Sequence, residues 1–188
     1  MAAYAIGLDY GTNSCRSLIV NLETGAEVAS HVYAYPSGHL GVVGDPRDPN
    51  VARQNPADDR AGLIETVVQG IAKAKLADPL FSADNVVGLG VDTTGSTPMP
   101  VNRAGVPLAL LPGFENNPNA YAWLWKDHTN HAEAAEITEL ARSLRPDYLA
   151  KCGGTYSSEW FWSKVLHCLR VDRPVFDAAF SFVELCDW

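Results

Sequence analysis

The sequence predicts an α/β protein in which a mixed β-sheet is flanked by helices. The first observation is a run of three β-prone segments, at 4–9, 15–22 and 27–35, joined by turns too short to contain a helix. The second is an amphipathic helix from residue 56 that leads into an apolar segment at 85–92. An antiparallel meander followed by a strand reached through a helix fits a ribonuclease-H-like or actin-like fold. A Rossmann fold fits less well, because it places a helix between every two strands.

Composition limits the class of protein. The 188 residues are 47% hydrophobic and 19% charged with a net charge of -8, which is typical of one globular domain or slightly more. No basic patch suggests a nucleic-acid partner, and no apolar run is long enough to cross a membrane. The first residues lack the basic segment of a signal peptide. Four scattered cysteines are typical of reduced thiols. We therefore expect a cytoplasmic protein without nucleic-acid or membrane partners.

Each predicted element has a local cause. The second strand alternates, so that Cys15, Ser17 and Ile19 share one face, and a turn at 23–25 uses Gly25 for positive φ. The Pro-, Gly- and Asp-rich stretch 36–55 predicts a loop.

The helix that follows this loop starts with Asn55 as N-cap and Pro56 in its first turn. Its apolar stripe comprises Ile64, Val67, Val68 and Ile71. The almost wholly apolar strand 85–92 predicts burial on both faces. The remaining expected elements are a strand at 97–102, two helical segments within 117–144, a helix at 157–169 capped by Ser157 or Ser158, a short helix near 174–179 and a strand at 181–188.

The first hairpin ends in a group of small polar residues next to a carboxylate. Its backbone amides and hydroxyls suit a phosphate, and the carboxylate of Asp9 suits a Mg²⁺ ion held through water. The candidate residues for this phosphate and metal end are Asp9, Gly11, Thr12, Asn13, Ser14 and Arg16. An Asx-type turn without a ligand is the alternative. Because ligands bind at the carboxyl ends of parallel strands, we expect Asp9 and Asp92 at the same edge of the sheet.

Three further segments could bind a polyhydroxylated ligand. The turn Thr94-Gly95-Ser96 follows the buried strand, and the pair Trp125-Lys126 offers an indole for stacking and a cation for hydroxyls. Glu159 follows a Gly-Gly turn and could face a cleft. Ordinary turns and core aromatics are the alternatives, and for Trp123 and the rings at 160–162 the core is favoured.

Taken together, these segments resemble the FGGY carbohydrate kinases. The similarity lies in "IGLDYGTNSCRSLIVN", in "GVDTTGSTPMPVNRAGVPLALLPGFENNPNAYAWLWKDHT" and in "KCGGTYSSEWFWSKVLHCL", and it extends from Tyr4 to Trp188. The resemblance implies an actin-like ATPase fold and transfer of the γ-phosphate of MgATP to the 5-hydroxyl of L-ribulose, in L-arabinose breakdown. It places the candidate residues of the first hairpin at the phosphate and metal end. It places Thr94, Gly95, Ser96, Trp125, Lys126 and Glu159 near the sugar.

Members of this family have two lobes, and the resemblance covers only the N-terminal part of the first lobe. The aspartate that acts as general base is expected beyond residue 188, as are the second phosphate loop and the adenosine pocket. The isolated chain is therefore expected to be inactive, with the missing lobe as its partner. A homo-oligomer, a kinase for another pentulose or polyol, an actin-like phosphatase or ATPase, and a non-catalytic module that binds a sugar or a partner all stay open.

Overall fold

The computed structural model describes residues 2–188 and divides them into two compact units. The first unit comprises the chain up to Gly41 together with Ala57–Thr94, and the second comprises Val42–Pro56 and Gly95–Trp188. The strands are β1 Tyr4–Tyr10, β2 Ser14–Asn21, β3 Glu27–Ala34, β4 Val43–Asp45, β5 Asp48–Gln54, β6 Val86–Thr93, β7 Pro98–Val101, β8 Ala122–Trp123 and β9 Ser181–Glu184. The α-helices are α1 Pro56–Ala77, α2 His131–Leu144, α3 Pro146–Lys151, α4 Phe161–Val171 and α5 Arg173–Ala178. Among the described helices, none has the length and apolarity needed to span a membrane.

The first unit contains the predicted mixed sheet. Its strands lie in the order β3-β2-β1-β6, with β2 antiparallel to both of its neighbours and β6 parallel to β1. One face is covered by α1, which begins at Pro56 as predicted. The core on that face comprises Tyr4, Ile6, Leu8, Ile19, Ala74 and Phe81. The three-strand meander and the parallel strand reached through a helix are therefore confirmed.

Helix α1 approaches the sheet closely because small residues line its buried face. Gly62, Thr66 and Gly70 are buried at intervals of one helical turn. A Cβ atom added to Gly62 would lie 2.7 Å from the Cβ of Cys15, and one added to Gly70 would lie 2.9 Å from the Oγ of Ser17. The Ser17 hydroxyl donates a 2.7 Å hydrogen bond to the Thr66 carbonyl, which links the helix to β2. A larger side chain at either glycine would require the helix to move.

Two predictions about apolar surfaces in the first unit are wrong. Ile64 and Val68 belong to the predicted stripe of α1, but both are more than half exposed. Strand β6 is not covered on both faces by the described residues: Val87, Leu89 and Val91, which alternate along the strand and share one face, are 68%, 56% and 57% exposed. An apolar sequence shows that a surface is suited to burial. It does not show whether another element within residues 2–188 packs against that surface.

The second unit contains two small sheets, in the orders β4-β5-β8 and β7-β9, with α2–α5. Its core comprises Leu108, Ala109, Ala120, Trp123, Cys168 and Val175, with a smaller cluster of Met99, Val101 and Ala122. Within the predicted loop 36–55, the chain forms the hairpin of β4 and β5 instead, so that prediction is wrong. Its turn is closed by Asp45, which accepts hydrogen bonds from the backbone and side chain of Arg47.

Other boundaries in this unit also differ from the prediction. Residues 117–130 contain a 3-10 turn and the two-residue strand β8, so only the later part of 117–144 is α-helical. Helix α4 begins at Phe161, because Ser157 caps a separate turn by accepting the amide of Glu159 at 3.1 Å. Strand β9 ends at Glu184, where a 3-10 turn follows.

Candidate functional site

The two carboxylates predicted to share an edge are direct neighbours. Strands β1 and β6 run parallel, and their register pairs Asp9 with Asp92 near the carboxyl ends of both strands. Thr94, just beyond β6, donates its amide to the carbonyl of Tyr10 at 3.2 Å, which continues the pairing past the strand ends. The prediction that Asp9 and Asp92 end strands at the same edge is therefore confirmed.

The turn after β1 keeps only some of the donors predicted for a phosphate. The amide of Gly11 donates within the hairpin to the carbonyl of Ser14 at 2.9 Å. The side-chain amide of Asn13 donates to the carbonyl of Leu40 instead, and its own carbonyl accepts from Tyr35 at 3.0 Å. The prediction that the Gly11 amide is offered to a ligand thus needs correction, because that amide closes the hairpin. The Asn13 side chain joins the hairpin to the loop at Leu40, and the role of the Asn13 backbone amide stays a prediction.

Arg16 lies across the hairpin from Asp9 and pairs with it. The guanidinium Nη2 is 2.7 Å from Oδ2 of Asp9, and the two side chains remain 51% and 45% exposed. A Cβ atom on Gly11 would lie 3.2 Å from the same nitrogen, so Gly11 leaves room for the guanidinium. Asp9 and Arg16 therefore form an accessible ion pair beside Gly11, and the phosphate and metal role of these residues stays a prediction.

In the second unit, Ser96 occupies a strained turn. Its φ of 54° lies in the left-handed region, which non-glycine residues seldom adopt. The following residue is held from two directions: the amide of Thr97 donates to Oε2 of Glu184 at 2.7 Å, and its carbonyl accepts from the amide of Leu185 at 3.1 Å. Gly95 is exposed, with open space where a side chain would stand.

Trp125 and Lys126 form the tip of a tight turn. The amide of Asp127 donates to the carbonyl of Leu124 at 2.9 Å, which makes Trp125 and Lys126 the two central residues. The Trp125 ring is 42% exposed, whereas Trp123 two residues earlier is buried in the core. The structure thus separates the two indoles: the preference for Trp123 in the core is confirmed, and Trp125 lies at the surface.

A buried ion pair supports this turn. Arg53 on β5 pairs with Asp127, and both side chains are almost completely buried. The guanidinium also lies 3.4 Å above the Trp123 ring, and Asp127 accepts the amide of Ala52 at 2.7 Å. Burial lowers the pKa of Arg53 to about 9, so the cation persists at neutral pH. Asp127, near the predicted sugar residues, is therefore structural.

Glu159 lies in a loop held by hydrogen bonds from two residues just before α2. The side chain of Asn130 donates to the carbonyl of Ser158 at 2.7 Å, and Nδ1 of His128 is 2.9 Å from the Ser158 hydroxyl. Past this loop, Trp162 is 64% exposed, so the prediction that the rings at 160–162 belong to the core is wrong for Trp162.

Sequence reasoning assigned no role to Lys164. It lies on α4 with 1% exposure, and its ammonium donates to the carbonyls of Ser96, Leu124 and Glu159 at 2.6, 2.8 and 2.6 Å. Burial lowers its pKa to about 7. One signal could have revealed it: one helical turn along α4 stands Cys168, so a lysine shares a face with a core residue.

Comparisons with known proteins match the whole chain to part of longer ones. The ribulokinase of Vibrio parahaemolyticus is 48% identical over 186 residues, covering 98% of this chain and 32% of that protein. The ribulokinase of Shouchella clausii is 37% identical over 193 residues, covering 100% of this chain and 33% of that protein. The chain thus spans about a third of the length of the relatives it matches. No protein-family model matches it.

Solved structures agree on the fold. The xylulose kinase of Rhodospirillum rubrum superposes with a TM-score of 0.71 at 19% identity, covering 98% of this chain and 32% of that one. The glycerol kinase of Plasmodium falciparum, solved with ADP, superposes with a TM-score of 0.63 at 14% identity, covering 94% of this chain and 30% of that one. At these identities the likeness concerns the fold alone, which is that of the FGGY sugar kinases, with an actin-like ATPase architecture.

Proposed function

Because this chain is homologous to ribulokinases and has the fold of the FGGY sugar kinases, we infer that it is the N-terminal part of an ATP-dependent kinase. The proposed kinase phosphorylates L-ribulose at its 5-hydroxyl. We assign this reaction to L-arabinose catabolism in the cytoplasm. The observation that carries this proposal is the 48% identity to a ribulokinase along almost the entire chain. An identity this high over both units is more than a shared fold requires. The proposal includes a longer parent protein, because the chain spans a third of such kinases.

The first unit supplies the phosphate and metal end in this proposal. Mg²⁺ in kinases is held by one or two carboxylates together with water and substrate phosphates. Asp9 and Asp92 are two neighbouring carboxylates at the ends of parallel strands, which fits such an ion bound through water. The described residues contain no group of three or more His, Cys, Asp or Glu side chains that could hold a metal without the nucleotide. Bound there, Mg²⁺ would neutralise charge on the transferring phosphates.

Arg16 has two roles in the same proposal. Its ion pair with Asp9 orients that carboxylate, and the exposed part of the guanidinium offers donors to a phosphate oxygen. Thr12, Asn13 and Ser14, in the same turn, are the further residues to which the proposal assigns phosphate contacts.

The second unit supplies sugar-binding residues. The exposed Trp125 ring provides a face for the apolar side of the sugar, and Lys126 beside it provides donors for hydroxyls. Ser96 and Glu159 add polar groups from two other segments, and Gly95 precedes Ser96 in its turn. Thr94, the last residue of the first unit, stays a sequence-based prediction. The general base for the 5-hydroxyl is assigned to the part of the parent beyond residue 188, so the isolated chain should not catalyse transfer.

The test compares this chain with its parent. In a coupled ADP-release assay with L-ribulose and MgATP, we expect the parent to turn over at roughly 1–100 s⁻¹, as kinases do, and the isolated chain to show no sugar-dependent release. Sugar-dependent turnover by the isolated chain would contradict the truncated site. If the parent prefers another pentulose or a polyol, the proposed substrate is wrong. If the parent binds sugar without turnover, the proposed kinase activity is wrong and the protein is a sugar-binding module.

A further inference from the structure

Lys164 joins three segments that are far apart in sequence. Its ammonium has three N–H donors, and each meets one backbone carbonyl: those of Ser96, Leu124 and Glu159. These carbonyls belong to the strained turn after Gly95, to the turn that presents Trp125 and Lys126, and to the loop of Glu159. One side chain thus contacts every segment of the second unit to which the proposed function assigns a sugar contact.

The energetics argue against a role in core stability. Within residues 2–188, no carboxylate forms an ion pair with Lys164, and its three partners are neutral carbonyls. Burial has the largest effect on its pKa and lowers it; of the charges that act on the pKa, Glu184 on β9 and Glu159 in the loop before α4 raise it, and Arg53 on β5 lowers it. Burying a cation is costly, and an apolar side chain of similar volume often gives a more stable core. We therefore attribute the lysine at this position to the conformation of the three segments that it joins, and not to the stability of the core.

We propose that Lys164 is a positioning residue of the sugar site, whose ammonium fixes the three segments carrying Ser96, Trp125-Lys126 and Glu159 in their binding arrangement. The proposal rests on the proposed function for its ligand. It goes further by assigning the geometry of the site to a buried group that makes no contact with the sugar.

Protonation of Lys164 gives the proposal a distinctive signature. A neutral amine has two N–H donors and a lone pair, so it cannot satisfy three carbonyls, and one segment is released as the proton leaves. With a folded-state pKa of about 7, this loss occurs as pH rises through neutrality, and sugar affinity should fall. The free energy of unfolding, in contrast, should increase as the pH rises. Between pH 7 and the ordinary pKa of 10.5, the unfolded chain binds the extra proton, so unfolding becomes less favourable as pH rises.

The first experiment uses amide hydrogen exchange on the chain at pH 6.5, with Lys164→Met as the variant. Lys151→Met, an exposed lysine of the same unit, is the matched control. The reporters are the amides of Thr97, Asp127 and Trp160, one from each of the three segments: Thr97 donates to Glu184 on β9, and Asp127 and Trp160 donate to carbonyls of their own segments. We expect exchange at all three to accelerate at least tenfold in Lys164→Met and to stay unchanged in the control. Unchanged exchange in Lys164→Met would overturn the proposal.

The second experiment titrates L-ribulose into wild-type chain by NMR at pH 6 and pH 8.5, with urea unfolding at both values. We expect Kd at least threefold higher at pH 8.5 together with undiminished stability. A Kd independent of pH would overturn the proposal. Because this titration uses the wild-type chain, it tests the proposal even if the Lys164→Met variant does not fold. Failure of the wild-type chain to bind L-ribulose at pH 6 would instead count against the proposed function, while hydrogen exchange would still decide whether Lys164 holds the segments.

Discussion

Replacing Gly62 with alanine sets two effects of known size against each other. In a helix interior, alanine is more favourable than glycine by about 1 kcal/mol, so propensity alone predicts stabilisation. The new Cβ, however, would lie 2.7 Å from the Cβ of Cys15. Optimal carbon contacts lie at about 3.5–4.0 Å, so helix α1 and strand β2 must separate by roughly 1 Å. The Cys15 Cβ is attached to the backbone of a central strand and cannot rotate away.

Overpacking of a core costs about 1–3 kcal/mol, and a displaced helix belongs at the upper end of that range. After subtracting the gain in propensity, we expect Gly62→Ala to lower the free energy of unfolding by about 2 kcal/mol. All five tryptophans lie in the second unit, so their fluorescence does not monitor this region. Urea unfolding should be followed by far-ultraviolet circular dichroism and by hydrogen exchange of β2.

Ala72→Gly, at an exposed position of the same helix, measures the propensity effect alone and should cost about 1 kcal/mol. A Gly62→Ala protein as stable as wild type, or more so, would show that α1 is not confined by β2. Gly70→Ala provides a related test, because the atom it meets is the Ser17 hydroxyl. Ser17→Ala removes that oxygen, so Gly70→Ala should be better tolerated in the Ser17→Ala background.

Three further outcomes are expected. In the proposed parent kinase, Asp9→Asn should lower turnover with MgATP at least tenfold, about 1.4 kcal/mol, and leave the Kd for sugar little changed; normal turnover with weaker sugar binding would refute the metal role. Asp127→Ala leaves the buried cation of Arg53 unpaired and should cost about 3 kcal/mol or more, measured by urea unfolding with tryptophan fluorescence; a loss below about 1 kcal/mol would contradict the pairing. The exposed edge strand should cause weak self-association in sedimentation velocity, reduced by Leu89→Lys with Val91→Lys, whereas a wild-type chain that stays monomeric at all concentrations would refute this.

The sequence predicts best where local signals and the fold agree. Alternation and short turns define β1–β3, Pro56 defines the start of α1, and the strand order then brings Asp9 beside Asp92. Prediction fails where the local structure depends on a residue that is distant in sequence. Strand β5 contains Pro49 and a buried arginine, which resemble a polar loop until Asp127 is known to lie opposite.

The same limit applies to the candidate sugar site. The sequence selected Trp125 and Lys126 as residue types suited to a sugar, but could not show that they form the tip of a turn. The role of Lys164 depends on three backbone carbonyls from separate segments. Every residue has a backbone carbonyl, so the residue types do not show which carbonyls accept these hydrogen bonds.

The parallel pairing of β1 with β6 also has a consequence for the order in which the chain folds. Strands β1, β2 and β3 pair with neighbours in sequence, and their hairpins can close as soon as they are synthesised. Asp9 and Asp92 are about 80 positions apart, so their pairing must wait for α1 and β6 and closes a long loop, which makes it slow. During that interval β1 has one free edge. The final step in assembling the first unit is therefore the one that creates its pair of carboxylates, so the two residues to which the proposed function assigns Mg²⁺ come together only when the sheet is complete.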